Sequence, residues 1–267
     1  MVEVGRTDIE AALRQLGTGD GDVLMAHSSL TSFGRVRGGA DAVIDALLDV
    51  VGSGGTLVMP AFCQRDGELR FETWDVRLSP SDVGRITEVF RLRPGGVRSN
   101  HATHSVAACG RHAHEITQGH GKASRRPGPW GEAAFGVGCP WDVMYGFETK
   151  ILLIGVDFMV NSTVHYVEHL IVERALNRVC APQRSSMLRA LRGWQKPGVW
   201  PSFDRLKLQR VLDDMGAVKR GTCGSSELLL VSLRTMVDEA LRRMESDREE
   251  WFDAEFRAWT DVGRSNG

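Results

Sequence analysis

The chain has 267 residues, 42% of them hydrophobic and 25% charged, the profile of an ordinary soluble globular protein. Its 33 lysines and arginines against 34 aspartates and glutamates leave a net charge of −1. That balance lacks the positive excess of a dedicated nucleic-acid or polybasic membrane binder.

No run of about 18 apolar residues is present, so no transmembrane helix is expected. The opening residues MVEVGRTDIEAALRQ carry early acids and no apolar core, which reads as a cytoplasmic chain without a secretory signal. Cys63, Cys109, Cys139, Cys180 and Cys223 form no CxxC pair. They fit reduced thiols better than a disulfide framework or a zinc ribbon.

Short apolar runs alternate with amphipathic stretches, as in an α/β protein. Thr7 and Glu10 suggest a capping box for a helix that carries Ile9, Ala12, Leu13 and Leu16 and ends at Gly17. Asp22–Leu30 reads as a buried strand, Ala40–Val51 as a helix stopped by Gly52, and Thr56–Phe62 as a second buried strand. Ser79-Pro80 marks a helix start, and Val97–Gly110 suits a strand-loop-strand. Lys150–Val156, KILLIGV, is the clearest buried strand. Asn161 or Ser162 then caps a helix reaching roughly Arg178. Farther on, Arg184–Pro201 looks irregular, Phe203–Met215 and Arg234–Met244 look helical, and SELLLVSL is a strand candidate. The whole chain, 1–267, reads as one unit with a charged tail from about 245, a surface helix expected to fray.

Three segments carry potential chemistry. In His165-Tyr166-Val167-Glu168-His169, helical spacing puts His165 and Glu168 on one face. A carboxylate beside an imidazole orients it and favours its protonated form, which is what a general base needs. A histidine–carboxylate pair that serves structure alone is the alternative reading of the same spacing. The same HxxEH string is also the inverted zinc-peptidase signature, a weaker reading because no third ligand stands out downstream. The second segment, His27-Ser28-Ser29, follows a buried strand, where hydroxyls and free N–H groups can hold a phosphate or an amide-rich chain; an ordinary serine-rich turn is the commoner case. The third, Arg98-Ser99-Asn100-His101-Ala102-Thr103-His104-Ser105, is a solvated loop or a pocket lining. No GxGxxG, Walker A or GxSxG sequence occurs.

Taken in order, these segments resemble the aminoglycoside 3-N-acetyltransferase family, the acetyl-CoA-dependent antibiotic N-acetyltransferases. The resemblance runs from about Asp8 to Met244. It rests on HSSL (His27–Leu30), Gly38-Gly39-Ala40, the MPAF strand end (Met59–Phe62), Ser79-Pro80-Ser81 with Gly84, and Arg98-Ser99 with HATHS (His101–Ser105). It continues through Cys139-Pro140-Trp141, KILLIGV and Asn161-Ser-Thr-Val-His165-Tyr-Val-Glu168.

The resemblance implies an α/β/α sandwich around a mixed central sheet, distinct from the GNAT acetyltransferase fold. It implies direct acetyl transfer from acetyl-CoA to a small-molecule amine, without metal, nucleic-acid or membrane partners, and leaves room for a homodimer. His165 matches the family's catalytic histidine, Glu168 the acid that orients it, and Thr163 a hydroxyl that steadies the thioester oxygen with help from helix N-terminal N–H groups. Ser28 and Ser29 match the turn against the CoA arm, and Arg98, Ser99, His104 and Ser105 match the pocket-lining stretch.

Three departures bear on the acceptor. Met159 stands where resistance enzymes usually have an aspartate, with Asp157 two residues earlier. Ala102 replaces a usual proline. Lys122, Arg125 and Arg126 add positive charge near the expected acceptor side. A polycationic aminoglycoside needs its amines paired when they leave water, so these changes point to a less basic acceptor, or one carrying an acidic group, as in a natural-product biosynthetic intermediate; a biosynthetic N-acyltransferase using another acyl-CoA is the alternative within the family. A relic that binds CoA without catalysis is a third reading, opposed by the intact His165–Glu168 pair.

Overall fold

The computed structural model describes residues 3–122 and 125–262. Nine strands appear in it: β1 Glu3–Val4, β2 Val23–Ser28, β3 Arg35–Val36, β4 Thr56–Pro60, β5 Val97–Arg98, β6 Val106–Gly110, β7 Lys150–Ile154, β8 Lys219–Cys223 and β9 Ser226–Ser232. Seven of them form one mixed sheet in the order β5-β6-β4-β2-β7-β9-β8, and β1 pairs with β3 alone. The three central strands β4, β2 and β7 are mutually parallel, while the flanking pairs are antiparallel.

The central strands are apolar along most of their length because both sheet faces are covered. Val23 and Met25 point into one core, with Val58, Ile151 and Leu153. Leu24 and Ala26 alternate into the other, with Leu57, Met59, Leu152 and Ile154. Helices Arg6–Leu16, Gly39–Val51 and Arg85–Arg91 cover the second face. Helices Thr163–Leu176, Arg205–Asp214 and Leu233–Ser246 cover the first. The architecture is the expected α/β/α sandwich.

Several boundaries differ from the sequence reading. The first helix begins earlier, at Gly5, whose N–H donates to Asp8 Oδ2 at 2.7 Å; Thr7 lies inside the first turn and does not cap it. Ser79-Pro80 belongs to a loop, and the following helix starts after Gly84. Arg184–Pro201 is partly helical, since Ala181–Ala190 forms a helix opened by Cys180 with Pro182 in its first turn.

Among the described residues the C-terminal segment is not a fraying surface helix. Trp251, Phe252, Phe256 and Trp259 are buried, and the Trp259 indole N–H donates to the Met187 carbonyl at 3.0 Å. The charges that dominate 245–262 lie between these apolar anchors, which masks them in a reading by composition. No helix among the described residues is long and apolar enough to cross a membrane.

Parallel strands aim their carboxyl ends the same way, and in open α/β sheets ligands sit beyond those ends. Here β2 ends at Ser28, β4 at Pro60 and β7 at Ile154. Pairing of Pro60 with Val106 brings the stretch before β6, with His104, to the same edge. At the end of β7 the chain turns through Gly155 at φ +62°, packed so closely on Ser32 that a side chain has no room.

Candidate active site

The helix Thr163–Leu176 starts just beyond β7. Asn161 Oδ1 accepts the Thr163 N–H at 3.1 Å, while the next two N–H groups go to the Asn161 and Ser162 carbonyls. Residues 161–169 of this segment are all buried. A helix buried on every side holds its polar residues to fixed partners.

His165 and Glu168 meet as their spacing predicts, Nδ1 to Oε2 at 2.9 Å, with 7% and 3% of their surfaces exposed. The same Oε2 accepts the Trp200 indole N–H at 2.8 Å. A buried carboxylate holding Nδ1–H fixes the tautomer that leaves the Nε2 lone pair as the acceptor. That nitrogen faces a cavity of about 560 Å³ at the sheet edge, lined among others by His27, Ser28, Phe62, Asp82, His104, Trp130, Met159 and Arg205. The Trp130 ring packs 4.1 Å from the imidazole, centroid to centroid.

The other predicted residues divide. Ser28 lines the cavity, and its Oγ is buried without a partner, as is His27 Nε2. Ser29 lies outside the lining, its Oγ 3.2 Å from Thr31 Oγ1. His104 and Met159 line the cavity. Asp157 stays out of the wall and caps the turn Phe158–Val160 by accepting the Met159 N–H at 2.9 Å.

Arg98, Ser99 and Ser105 do not reach the cavity. The Arg98 guanidinium is taken by the carbonyls of Ala61 and Ser79 and covers the Trp74 ring. Ser99 Oγ lies 2.8 Å from His120 Nδ1 and accepts the Val106 N–H. Ser105 is fully buried.

Thr163 also falls outside the lining, with Oγ1 buried and unpartnered, and the first three helical N–H groups are already bonded. The expectation of a thioester oxygen steadied from this helix start therefore finds neither Thr163 in the cavity lining nor a free N–H among the first three.

The polar run 98–105 is mostly structural. His101 Nε2 reaches the Glu132 carbonyl at 3.1 Å and His120 Nε2 the Ala134 carbonyl at 3.0 Å. Burial holds both in the neutral form, His101 down to about 4, and the two rings stack at 5.0 Å. His27 is likewise lowered to about 4 by burial. For His104, burial and then the neighbouring His165 push protonation well below the ordinary histidine range.

Arg126 does not face the cavity. Its guanidinium binds Glu173 Oε1, His169 Nδ1 and the His169 carbonyl. It thereby ties the segment leading to Trp130 onto the His165 helix. This also removes the zinc reading: His169 lines a small separate pocket with Arg126 and Trp200, so the two histidines of HxxEH face different cavities. Burial first, then Arg126, depresses His169 to about 2.

Two functional neighbours were missed in sequence. Trp200 comes from the irregular segment after Ala190, and Arg205 from the start of the next helix. Arg205 Nη2 lies 3.3 Å from His165 Nε2, and its Nη1 donates to the Met159 carbonyl at 2.7 Å. No local pattern marks either, because each meets the site only through tertiary folding.

The profile of the aminoglycoside 3-N-acetyltransferase family matches residues 25–245. The chain is 30% identical to the SPbeta prophage-derived aminoglycoside N(3')-acetyltransferase-like protein YokD of Bacillus subtilis, over 92% of each chain. The YokD crystal structure superposes with a TM-score of 0.72 at 25% identity, covering 94% of this chain and 96% of that one. Aminoglycoside N(3)-acetyltransferase VII of Streptomyces paromomycinus is 28% identical over 91% of this chain and 92% of its own. The fold is shared with the AAC-IIIb binary complex with CoASH, at TM-score 0.71 and 22% identity, covering 94% and 98%. The chain belongs to the aminoglycoside 3-N-acetyltransferase family and is an acyl-CoA-dependent N-acyltransferase.

Proposed function

We propose that the protein moves the acetyl group of acetyl-CoA to the amine of an aminoglycoside-like or related small molecule, by direct attack with His165 as general base. One observation carries this reading: His165 Nδ1 is bonded to Glu168 while Nε2 faces the cavity at the carboxyl ends of the parallel strands.

The thioester is already activated, so positioning and one base suffice. The neutral amine attacks the carbonyl carbon, and its proton passes to His165 Nε2. Glu168 stabilises the imidazolium so formed, and Trp200 keeps the carboxylate aimed. The C–S bond then breaks, and the imidazolium returns its proton to the departing sulfur, giving the amide and free CoA thiol. Ser28, which lines the cavity at the end of β2, is the residue this reading sets against the thioester end of CoA. His104 beside the base is kept neutral by burial, so it does not compete for the proton.

The test is a thiol-release screen of acetyl-CoA against aminoglycosides and diverse amines, with His165→Ala as control. The variant is expected to lose more than about a hundredfold in rate. An unchanged rate in that variant refutes the assignment of the base.

A further inference from the structure

Arg205 is the arginine that lines the cavity, and the mechanism above gives it no part. Among the described residues it has no carboxylate within 4 Å, whereas Arg126 is paired with Glu173 and Arg93 with Asp41 and Asp45. The acids near Arg205 are committed elsewhere. Asp204 caps its own helix through the Lys207 N–H, Asp157 caps the turn at Met159, and Asp82 on the far wall accepts the Gln64 N–H. Two anchors hold the arginine in place, the Met159 carbonyl and the adjacent helix, which Gln209 ties to the Phe158 N–H at 3.0 Å.

An unpaired guanidinium in a half-enclosed cavity calls for an anion. CoA is not its source. The thioester must lie at His165, and the phosphates of CoA sit at the opposite end of the pantetheine arm. The anion therefore belongs to the acceptor.

We propose that Arg205 selects acceptors bearing an anionic group, a carboxylate or a phosphonate, within a few bonds of the reacting amine. In the absence of acceptor the guanidinium rests on the lone pair of His165 Nε2. An anionic acceptor draws it aside and places its amine where the guanidinium stood. A polycationic acceptor meets like charge at this point and finds Asp82 as the one lining carboxylate. This inference rests on the reading of His165 as base and narrows its substrate class.

The experiment measures thiol release from acetyl-CoA with the ω-amino acids from glycine to 6-aminohexanoate, each against its own amide. A second arm pairs 2-aminoethylphosphonate with ethanolamine to distinguish the two anions. Wild type is expected to prefer the anionic member of the best pair by about 10- to 100-fold in kcat/KM, the range of a charge-assisted contact. In Arg205→Ala the ratio collapses to within about threefold, and Arg205→Lys retains part of it. The ratio within a pair cancels any general damage to the variant. Equal use of both members by wild type, turnover of neither, or a ratio unchanged in Arg205→Ala overturns the proposal. His165→Gln separates the two readings: inactivity of that variant with an unchanged Arg205 ratio sinks only the selectivity, and activity of that variant sinks the base.

Discussion

Replacing Glu168 with glutamine isolates the electrostatic part of the mechanism. The carboxylate is 3% exposed, and its Oε2 accepts both His165 Nδ1–H and the Trp200 indole N–H. A glutamine of the same shape can offer its carbonyl oxygen to both donors, so the tautomer and ring orientation survive while the charge goes. During transfer the imidazole becomes a cation. A unit charge about 4 Å away at an effective dielectric near 20 contributes about 4 kcal/mol. The neutral hydrogen bond that remains returns about 1 kcal/mol. The net loss of about 3 kcal/mol lowers kcat by roughly 150-fold. The assay is thiol release at saturating acetyl-CoA, with a melting curve beside it. A variant that melts like wild type and turns over within threefold of it contradicts the claim that Glu168 stabilises the imidazolium.

Trp200→Phe removes one donor to the carboxylate and is expected to cost about 3- to 10-fold in kcat with KM for acetyl-CoA unchanged; a change confined to KM counts against its role in aiming Glu168. Ser28→Ala should raise KM for acetyl-CoA about 2- to 10-fold, because the proposal sets this cavity-lining residue against the CoA arm, and an unaltered KM removes Ser28 from the CoA wall. Stability should fall with acid. His27 and His101 are lowered to about 4 in the fold against about 6.5 unfolded, so the unfolded chain binds more protons between those values. Their contribution is intact above about pH 6.5, and each loses about 2 kcal/mol by about pH 5, read as a falling Tm; a flat Tm across that span refutes it. Phe256→Ala, in the C-terminal segment, should destabilise by about 3–5 kcal/mol in urea melts, whereas a surface helix would lose under about 0.5.

The parts of the molecule legible in sequence are those set by local pattern. The apolar runs of β2, β4 and β7 declare strands covered on both faces, and three-residue spacing on a helix brings His165 to Glu168. Family likeness added the order of the segments and the nature of the reaction. Sequence distance hides the rest. Trp200 and Arg205 lie 32 and 40 residues from the groups they touch. The polar texture of 98–105 is real, yet His101 and Ser99 use it to satisfy one another's neighbours inside the protein, and His104 is the residue whose ring reaches the cavity wall. The basic cluster around Arg126 illustrates the same limit. Charge counted along the chain set Arg126 near the acceptor, whereas in the fold Glu173 has claimed Arg126 and the arginine that lines the cavity is Arg205.

The most direct measurement is the pH profile of kcat/KM for wild type and His165→Gln, using an acceptor amine basic too weakly to protonate across the range, with acetyl-CoA binding followed by calorimetry. Wild-type activity should fall on the acid side with a slope of one, while the variant binds acetyl-CoA normally and shows only a slow, pH-independent residual rate. A variant that keeps both the rate and the acidic limb of wild type shows that another group takes the proton.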